Sequence, residues 1–319
     1  MAAIPVLLAG TTGAGGQDHQ SAMWAPALAE AGFAPVGLWS PPDAGDAQSE
    51  SAARLARDLE VPLRTDEEPS VPVGAAVVAC LRGDRRAQLL ATAGEDVAVL
   101  VDKPTLDATA QLEAQLAGSA TRRLLSGHHF ASHPSFLRAA AAVRDGEIGL
   151  LRAVMIDLVV AAGDGVSPEG DLRNIGVHAA DLMLRLTGPA ELTVGTAALE
   201  PGAVTFLAQT DRDVVLSGHV SRTASGTGTL LARMRVVGTH GHVDVDLTRP
   251  ALTVRTASAT VQAGYGTGSV TGRLRELHRL AEGGRTGETA ASWLAVSRLL
   301  DAIAESSASG DAITVEKQS

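Results

Sequence analysis

A valine-rich stretch that ends in Asp102-Lys103-Pro104 constrains the fold of this chain more than any other feature. The five residues before it, Val97–Val101, are all apolar, and such a run predicts a strand that is buried on both faces. Because proline restricts the residue before it, we predict an extended backbone at Lys103 and a side chain that leaves the strand end in a defined direction. Ligands bind at the carboxyl ends of strands in doubly wound sheets. Lys103 is therefore predicted to face a ligand, against the alternative of an ordinary exposed lysine.

Lysine is rare in this chain, which makes position 103 stand out further. Of the 26 basic residues, only Lys103 and Lys317 are lysines, and the others are arginines. An ammonium group can give up a proton, whereas a guanidinium group stays charged. We interpret Lys103 as a position that requires a group able to exchange a proton.

The segment that begins at Asp102 and runs through the helix expected after Thr105 resembles the Glu-Lys-Pro segment of the Gfo/Idh/MocA family. These proteins are nicotinamide-dependent oxidoreductases that act mainly on sugars and cyclitols. The resemblance implies that Lys103 approaches both the nicotinamide ribose and the reacting hydroxyl, and Asp102, which stands where the family has glutamate, is included in the cofactor site.

This resemblance extends over nearly the whole chain and implies its architecture. It predicts an α/β protein with an N-terminal Rossmann domain, built on a doubly wound parallel sheet, over residues 1–122. An α/β domain with a large, mostly antiparallel sheet is predicted over residues 123–319. In the family the open face of that sheet forms dimers or tetramers, so we expect a homodimer or a homotetramer.

A strand, a glycine-rich loop and a helix are predicted at the start of the chain. Pro5–Gly10 reads as a buried strand, the loop carries glycines at 10, 13, 15 and 16, and a helix is predicted from about Ser21 to Ala31. In dinucleotide sites, the N–H groups of such a loop and the helix N-terminus hold the pyrophosphate. The spacing departs from Gly-x-Gly-x-x-Gly, and a plain turn is the alternative. On the dinucleotide interpretation, the binding residues are Gly10, Thr11, Thr12, Gly13 and Gly15.

The second predicted strand bears on the choice of dinucleotide. It covers Ala34–Ser40, ends in Ser40 rather than in an acid, and is followed by Asp43, which we interpret as a turn residue. No lysine or arginine precedes Arg54, so a 2′-phosphate would lack a cation. We therefore predict that NAD is the cofactor, with Ser40 in its site, and that NADP is disfavoured.

A further strand, Val73–Cys80, runs into a basic segment, Leu81–Arg86. The family has a turn with proline and histidine near the cofactor at this point, so Cys80 and Leu81 are assigned to the cofactor site. The three arginines of the segment could meet a phosphate or an acidic substrate, or they could form a solvated basic turn.

The second strong motif is Gly170…Asn174-x-Gly176-x-His178-x-x-Asp181. In a helix, the asparagine, histidine and aspartate are spaced i, i+4 and i+7 and share one face. Histidine is suited to take a proton near neutral pH, and Asp181 could orient its ring. The motif resembles the family's Gly-x-x-x-Asp-x-Gly-x-His-x-x-Asp. That resemblance implies that His178 takes the hydroxyl proton, while Asn174, in place of the first aspartate, can hold a hydroxyl but cannot exchange a proton.

Three histidines lie close together at positions 128, 129 and 133, in the segment where the family crosses into its second domain. No carboxylate or cysteine completes a ligand set at a suitable spacing, so we predict no metal site. His129 and His133 are interpreted as groups that hydrogen-bond a polyol substrate.

Composition excludes several classes of function. The net charge of −10 argues against nucleic acid or an anionic membrane as partner, and a single cysteine, Cys80, excludes an internal disulfide. No stretch approaches the roughly 18 apolar residues of a membrane helix, and we expect a cytoplasmic protein.

The predicted reaction transfers hydride between a secondary alcohol of a sugar, cyclitol or related polyol and NAD(P). One alternative is a redox-neutral enzyme that retains NAD, as in glycoside cleavage or epimerisation. Another is a non-catalytic family member that binds a ligand or serves as a partner subunit.

Overall fold

Short apolar strands from the first part of the chain form a six-stranded parallel sheet. The strand order is β3-β2-β1-β4-β5-β6, which is the order of a doubly wound dinucleotide-binding sheet. The strands are β1 Ile4–Ala9, β2 Phe33–Trp39, β3 Leu63–Arg64, β4 Ala76–Ala79, β5 Ala98–Val101 and β6 Arg123–Ser126. All four residues of β4 and of β5 are buried, as expected for central strands covered on both faces.

A second, nine-stranded sheet has the order β14-β13-β12-β11-β7-β10-β9-β8-β15. Every neighbouring pair is antiparallel except β7 and β10, which run parallel. The strands are β7 Leu151–Ala161, β8 Leu192–Glu200, β9 Ala203–Thr210, β10 Val215–Thr223, β11 Gly228–Gly238, β12 Gly241–Asp246, β13 Ala251–Thr256, β14 Thr260–Ala263 and β15 Ile313–Val315. The predicted fold class, a parallel sheet followed by a mostly antiparallel one, is confirmed.

These coordinates come from a computed structural model that describes residues 3–11, 18–117, 123–161, 168–223, 228–249, 251–256, 258–263 and 268–317. Its α-helices are α1 Asp46–Asp58, α2 Gly83–Thr92, α3 Thr109–Leu116, α4 Pro134–Arg144, α5 Pro168–Asp171, α6 Val177–Thr187, α7 Ser269–Ala281 and α8 Ala290–Ser309. None of the helices in these ranges is long and apolar enough to cross a membrane.

The helix predicted from Ser21 to Ala31 is wrong. The chain instead forms a π-helical turn, Gln20–Trp24, followed by a 3-10 turn, Ala25–Ala27. Pro26 accounts for the change, because it has no N–H to donate and its ring clashes with the preceding turn of a regular α-helix.

The chain divides into two compact units. The first comprises Met1–His129 and Val270–Trp293, and the second comprises Phe130–Ser269 and Leu294–Ser319. The predicted domains were consecutive, residues 1–122 and 123–319, whereas the segment 270–293 belongs to the first unit. Three leucines of α7, Leu274, Leu277 and Leu280, explain why, since they are buried in the same apolar core as β1, β4 and β5.

Candidate functional site

The carboxyl edge of the six-stranded sheet carries the residues predicted to bind a dinucleotide. Directly after the strands, backbone N–H groups donate to the last carbonyls of neighbouring strands: Gly10 to Trp39 at 2.8 Å, Cys80 to Ala9 at 2.8 Å, and Asp102 to Ala79 at 2.8 Å. The strand ends are therefore held in fixed register. Gly10, Ser40, Cys80, Leu81, Asp102 and Lys103 follow four adjacent strands on this edge.

Gly10 is required at the end of β1 on two grounds. Its φ is +72°, a conformation that side chains rarely adopt, and a Cβ there would lie 2.4 Å from the Cys80 carbonyl oxygen and 2.5 Å from Leu81 Cδ2. Thr11 is buried, and its hydroxyl donates to the Gln48 carbonyl at 3.3 Å. Thr12, Gly13 and Gly15 lie outside the described residues.

Lys103 occupies a strained turn at the end of β5. Its backbone lies in the left-handed region, with φ of +38° and ψ of +67°, so the predicted extended backbone is wrong. Proline excludes the right-handed helical region for the residue before it, and the left-handed region lets the chain turn at once into the 3-10 turn Pro104–Leu106. Residues in this region store about 1–3 kcal/mol of strain, and they cluster at functional sites.

Burial controls the charge of Lys103. Only 8% of the residue is exposed, and burial lowers the pKa of its ammonium group from 10.5 to about 8. The Asp102 carboxylate opposes this shift and Arg82 adds to it. At neutral pH Lys103 therefore carries a positive charge, and it can release its proton far more readily than an exposed lysine.

Asp102 is held by two buried side chains of the segment after the glycine loop. His19 Nδ1 lies 2.8 Å from Asp102 Oδ2, and Trp24 Nε1 donates to Asp102 Oδ1 at 3.2 Å. Burial alone would raise the pKa of Asp102, but His19, Lys103 and Trp24 outweigh it and the pKa is lowered. The carboxylate is thus ionised beside Lys103. Sequence analysis missed His19 and Trp24, because their pairing with Asp102 joins segments about 80 residues apart.

The basic segment after Cys80 is the start of α2 rather than a solvated turn. Arg86 is 1% exposed, and its guanidinium donates to Asp107 Oδ2 at 2.6 Å and to Gln115 Oε1. For this arginine the solvated interpretation is wrong, because its guanidinium is buried against carboxylate and amide partners. Arg85 reaches the turn after β2, where its Nε lies 2.8 Å from Asp43 Oδ1.

A buried ion pair in segment 270–293, between Arg273 and Glu288, holds the end of β6 in place. Arg273 donates through Nε to the Ser126 carbonyl at 2.7 Å and pairs with Glu288. Glu288 in turn accepts from the Ser126 N–H at 2.8 Å and from Trp293 Nε1 at 3.0 Å. Sequence analysis did not predict this pair, because its members come from segments that only the fold brings to the end of β6.

Gly127 and His129 follow the end of β6, where Ser126 is held by Arg273 and Glu288. A Cβ on Gly127 would lie 2.8 Å from Asp102 Cα, so the ends of β5 and β6 touch. Burial, followed by the charge of Lys103, lowers the pKa of His129 to about 3. Its imidazole is therefore neutral at physiological pH and can hydrogen-bond without adding charge beside Lys103.

The second unit contains the histidine motif. Asn174 lies in a π-helical turn, Leu172–Gly176, and His178 lies in the first turn of α6. The prediction of one regular α-helix is therefore wrong over Asn174, and π turns inside helices are frequent at functional sites. Asn174, His178 and Asp181 are each 5% exposed.

His178 packs against an aromatic side chain of the same unit. Its ring meets the ring of Phe130 edge to face, with centroids 5.0 Å apart and an interplanar angle of 66°. Asp181, predicted to orient His178, accepts a hydrogen bond from Arg185 at 2.8 Å.

His133 is 3% exposed, and its Nδ1 accepts from the Ser135 N–H, which caps the start of α4. Burial lowers the pKa of His133. Its Nδ1 is thus occupied by a hydrogen bond within the protein. A contact between a polyol and Nε2 of the ring remains a prediction.

Within the described ranges, no three or more His, Cys, Asp or Glu side chains lie together in a way that could hold a metal ion.

Solved structures share this fold over almost the whole chain. A levoglucosan dehydrogenase in complex with NADH and L-sorbose is 16% identical, covers 100% of both chains and has a TM-score of 0.79. An oxidoreductase domain protein from Kribbella flavida is 21% identical over 99% of this chain and 100% of its own, with a TM-score of 0.74. GenD2 from gentamicin A biosynthesis, in complex with NAD, is 19% identical over 99% and 97% of the two chains, with a TM-score of 0.75. No protein-family model and no curated protein sequence matches the chain.

Proposed function

We propose that this chain is a nicotinamide-dependent oxidoreductase of the Gfo/Idh/MocA family that oxidises a secondary alcohol of a sugar, cyclitol or related polyol. The observation that carries the proposal is Lys103. It stands at the carboxyl end of a central strand in a 3-2-1-4-5-6 sheet, 8% exposed and with a left-handed backbone. An ammonium group whose pKa is about 8 is suited to stabilise an alkoxide at neutral pH.

The residues at the sheet edge fit a dinucleotide. Gly10 lets the end of β1 lie directly against Cys80 and Leu81 after β4, and glycine at this strand end is typical of a dinucleotide-binding turn. We assign Gly10, Thr11, Ser40, Cys80 and Leu81 to dinucleotide binding, together with the loop residues named above. The fold-sharing structures with NADH or NAD bound support this assignment.

The chemistry of each side chain determines its role in the proposed reaction. His178 accepts the proton of the substrate hydroxyl, because a neutral imidazole can take up a proton near neutral pH. Lys103 stabilises the negative charge that develops on the oxygen. Asn174 holds a neighbouring hydroxyl through its amide, and His129, which is neutral, can do the same. A bound nicotinamide would supply the hydride acceptor.

The test begins with binding and then measures turnover. NAD and NADP are titrated into the protein by calorimetry, and a panel of sugars and cyclitols is then screened for formation of reduced nicotinamide. Lys103→Met should bind NAD yet lose about 100-fold or more in turnover, the scale for removing a preorganised charge from an oxyanion. Lys317→Met, which removes the other lysine of the chain, is the matched control and should turn over like the parent.

Three results would separate the proposal from its alternatives. Substrate conversion without reduced nicotinamide would indicate the redox-neutral enzyme. Binding of a dinucleotide, sugar or cyclitol without any turnover would indicate a non-catalytic family member. Absence of binding to either dinucleotide would refute the oxidoreductase proposal itself.

We also infer that the protein is a homodimer or homotetramer associated through the nine-stranded sheet. Leu207 and Met155 lie opposite Ser217 on the neighbouring strands β9 and β7, so the three share a face. The two apolar side chains are 44% and 40% exposed. Light scattering of the purified protein tests this inference, and a monomer at micromolar concentration would contradict it.

A further inference from the structure

The imidazole of His178, the proton acceptor in the proposed reaction, packs against the ring of Phe130. The ring centroids are 5.0 Å apart and the planes make an angle of 66°, an edge-to-face arrangement that aromatic pairs prefer. Both residues are 5% exposed. The contact is therefore shielded from water, and neither ring can leave it without a change in the packing around it.

The helix that carries His178 fixes its backbone but not the plane of its ring. Residues 177–183, in the first half of α6, are all buried. The torsion that rotates an imidazole about its Cβ–Cγ bond has broad, roughly two-fold wells, so a buried backbone does not settle it. The π turn Leu172–Gly176 also precedes α6, and a π turn takes more residues than an α-helical turn. The spacing of Asn174 and His178 therefore does not by itself align the two side chains.

Asp181, which was expected to orient the ring, has a strong partner further along the same helix. Its Oδ2 lies 2.8 Å from Arg185 Nε, and only 7% of the aspartate side chain is exposed. A charge-assisted hydrogen bond of this kind holds the carboxylate towards the arginine. A contact from outside α6 can fix the plane of the His178 ring, and Phe130 provides one.

Phe130 is itself held firmly in place. It lies in the 3-10 turn His129–Ser132, and its carbonyl accepts the N–H of His133 at 3.0 Å. Its side chain belongs to the apolar core that also contains Leu172 and Ile175, from the turn before α6. Because such a core is close-packed, the phenyl ring cannot move unless its neighbours move as well.

We propose that Phe130 is a positioning residue, whose ring holds the His178 imidazole in the plane that proton transfer requires. A general base must lie within hydrogen-bond distance of the proton it takes, and small errors in its placement slow the reaction strongly. A phenyl ring imposes an orientation without placing a charge next to the base. This inference rests on the proposed function, in which His178 accepts the hydroxyl proton.

The kinetic test compares Phe130→Leu with Phe136→Leu. Phe136 is the matched control, because it is 2% exposed and lies on α4 in the same apolar core. Phe130→Leu should lower kcat by about tenfold or more and leave KM within about twofold of the parent, since a misplaced base weakens the transition state rather than substrate binding. Phe136→Leu should leave both values within about twofold of the parent.

Two further variants guard this comparison. Phe130→Tyr keeps the ring and should retain the parental kcat. Phe130→Met fills the site with a flexible side chain and replaces the leucine variant in the comparison if that variant does not fold, which thermal unfolding shows.

NMR relaxation of the labelled His178 ring tests the orientation without turnover, with the signals assigned by their loss in His178→Asn. The order parameter should be about 0.85 in the parent and in Phe136→Leu, and it should fall below about 0.6 in Phe130→Leu. A ring that stays ordered in Phe130→Leu, or a kcat no lower than that of the control, overturns the inference and leaves the proposed function standing. If the parent turns over none of the polyols, the proposed function fails, and Phe130 is then a packing residue whatever the order parameter.

Discussion

The imidazole Nδ1 of His19 lies 2.8 Å from Oδ2 of Asp102, with only 9% and 2% of the two side chains exposed. This contact ties the segment after the glycine loop to the residue that precedes Lys103. Because a buried carboxylate stays ionised only when donors and cations surround it, His19 and Trp24 maintain the negative charge next to Lys103.

Replacement of Asp102 by asparagine should lower the pKa of Lys103 below about 8, because the carboxylate favours the charged ammonium. The measurement is an NMR pH titration of protein labelled in its lysine side chains. Lys317, the other lysine, serves as the internal reference. An unchanged Lys103 titration in Asp102→Asn would show that the two groups are electrostatically separate.

Lys103→Met should increase the free energy of unfolding at neutral pH. The pKa of Lys103 is about 8 in the folded protein against 10.5 for an ordinary lysine. Below pH 8 the folded state therefore carries a penalty of about 3 kcal/mol for the buried charge, at 1.36 kcal/mol for each pKa unit. For the parent, stability rises with pH between these two values, because the unfolded chain binds the extra proton.

Urea unfolding of Lys103→Met and the parent at several pH values checks this sign. The stability difference should be largest below pH 8 and should vanish as the pH passes 10.5. A variant less stable than the parent at neutral pH would mean that the ammonium makes contacts worth more than its desolvation.

Gly10→Ala should destabilise the protein more than Gly74→Ala. Both glycines have positive φ, +72° and +75°, but a Cβ at 74 meets nothing within 4 Å, whereas one at 10 collides with the Cys80 carbonyl. The backbone strain of about 1 kcal/mol is thus common to both variants, and the clash adds about 1–3 kcal/mol only in Gly10→Ala. Thermal unfolding compares them, and equal losses would contradict the close approach of β1 and β4.

Glu288→Gln should cost about 1–3 kcal/mol of stability, because it replaces one carboxylate partner of the buried Arg273 by a neutral amide while Glu276 still pairs with it. Arg144→Gln, in an exposed pair with Asp145, is the control and should change stability by less than about 1 kcal/mol. Denaturant unfolding measures both. A loss in Glu288→Gln no larger than that of the control would show that Ser126 is held without the pair.

The sequence predicts the sheets well, because runs such as Val97–Val101 bury both faces of a strand and leave little choice of structure. It fails where one local feature competes with another. Pro26 breaks a helix whose apolar pattern is otherwise suitable, and Lys103 turns left-handed where the following proline also permits an extended backbone.

The side-chain partners of the site were beyond sequence analysis. His19 with Asp102, Arg85 with Asp43, and Arg273 with Glu288 are each brought together by the fold, and no spacing rule reveals them. By contrast, Lys103 itself was identified from its strand end and from the scarcity of lysine.

The measurement that tests the account most directly is the lysine-selective NMR titration of the parent protein, carried out with and without saturating NAD. We predict that Lys103 titrates near pH 8 in the free protein and that NAD moves both its resonance and its midpoint. The resonance of Lys317 should not change when NAD is added. A Lys103 midpoint near 10.5 that NAD leaves unmoved would contradict the claim that this lysine is a buried, ready acid–base group at the dinucleotide site.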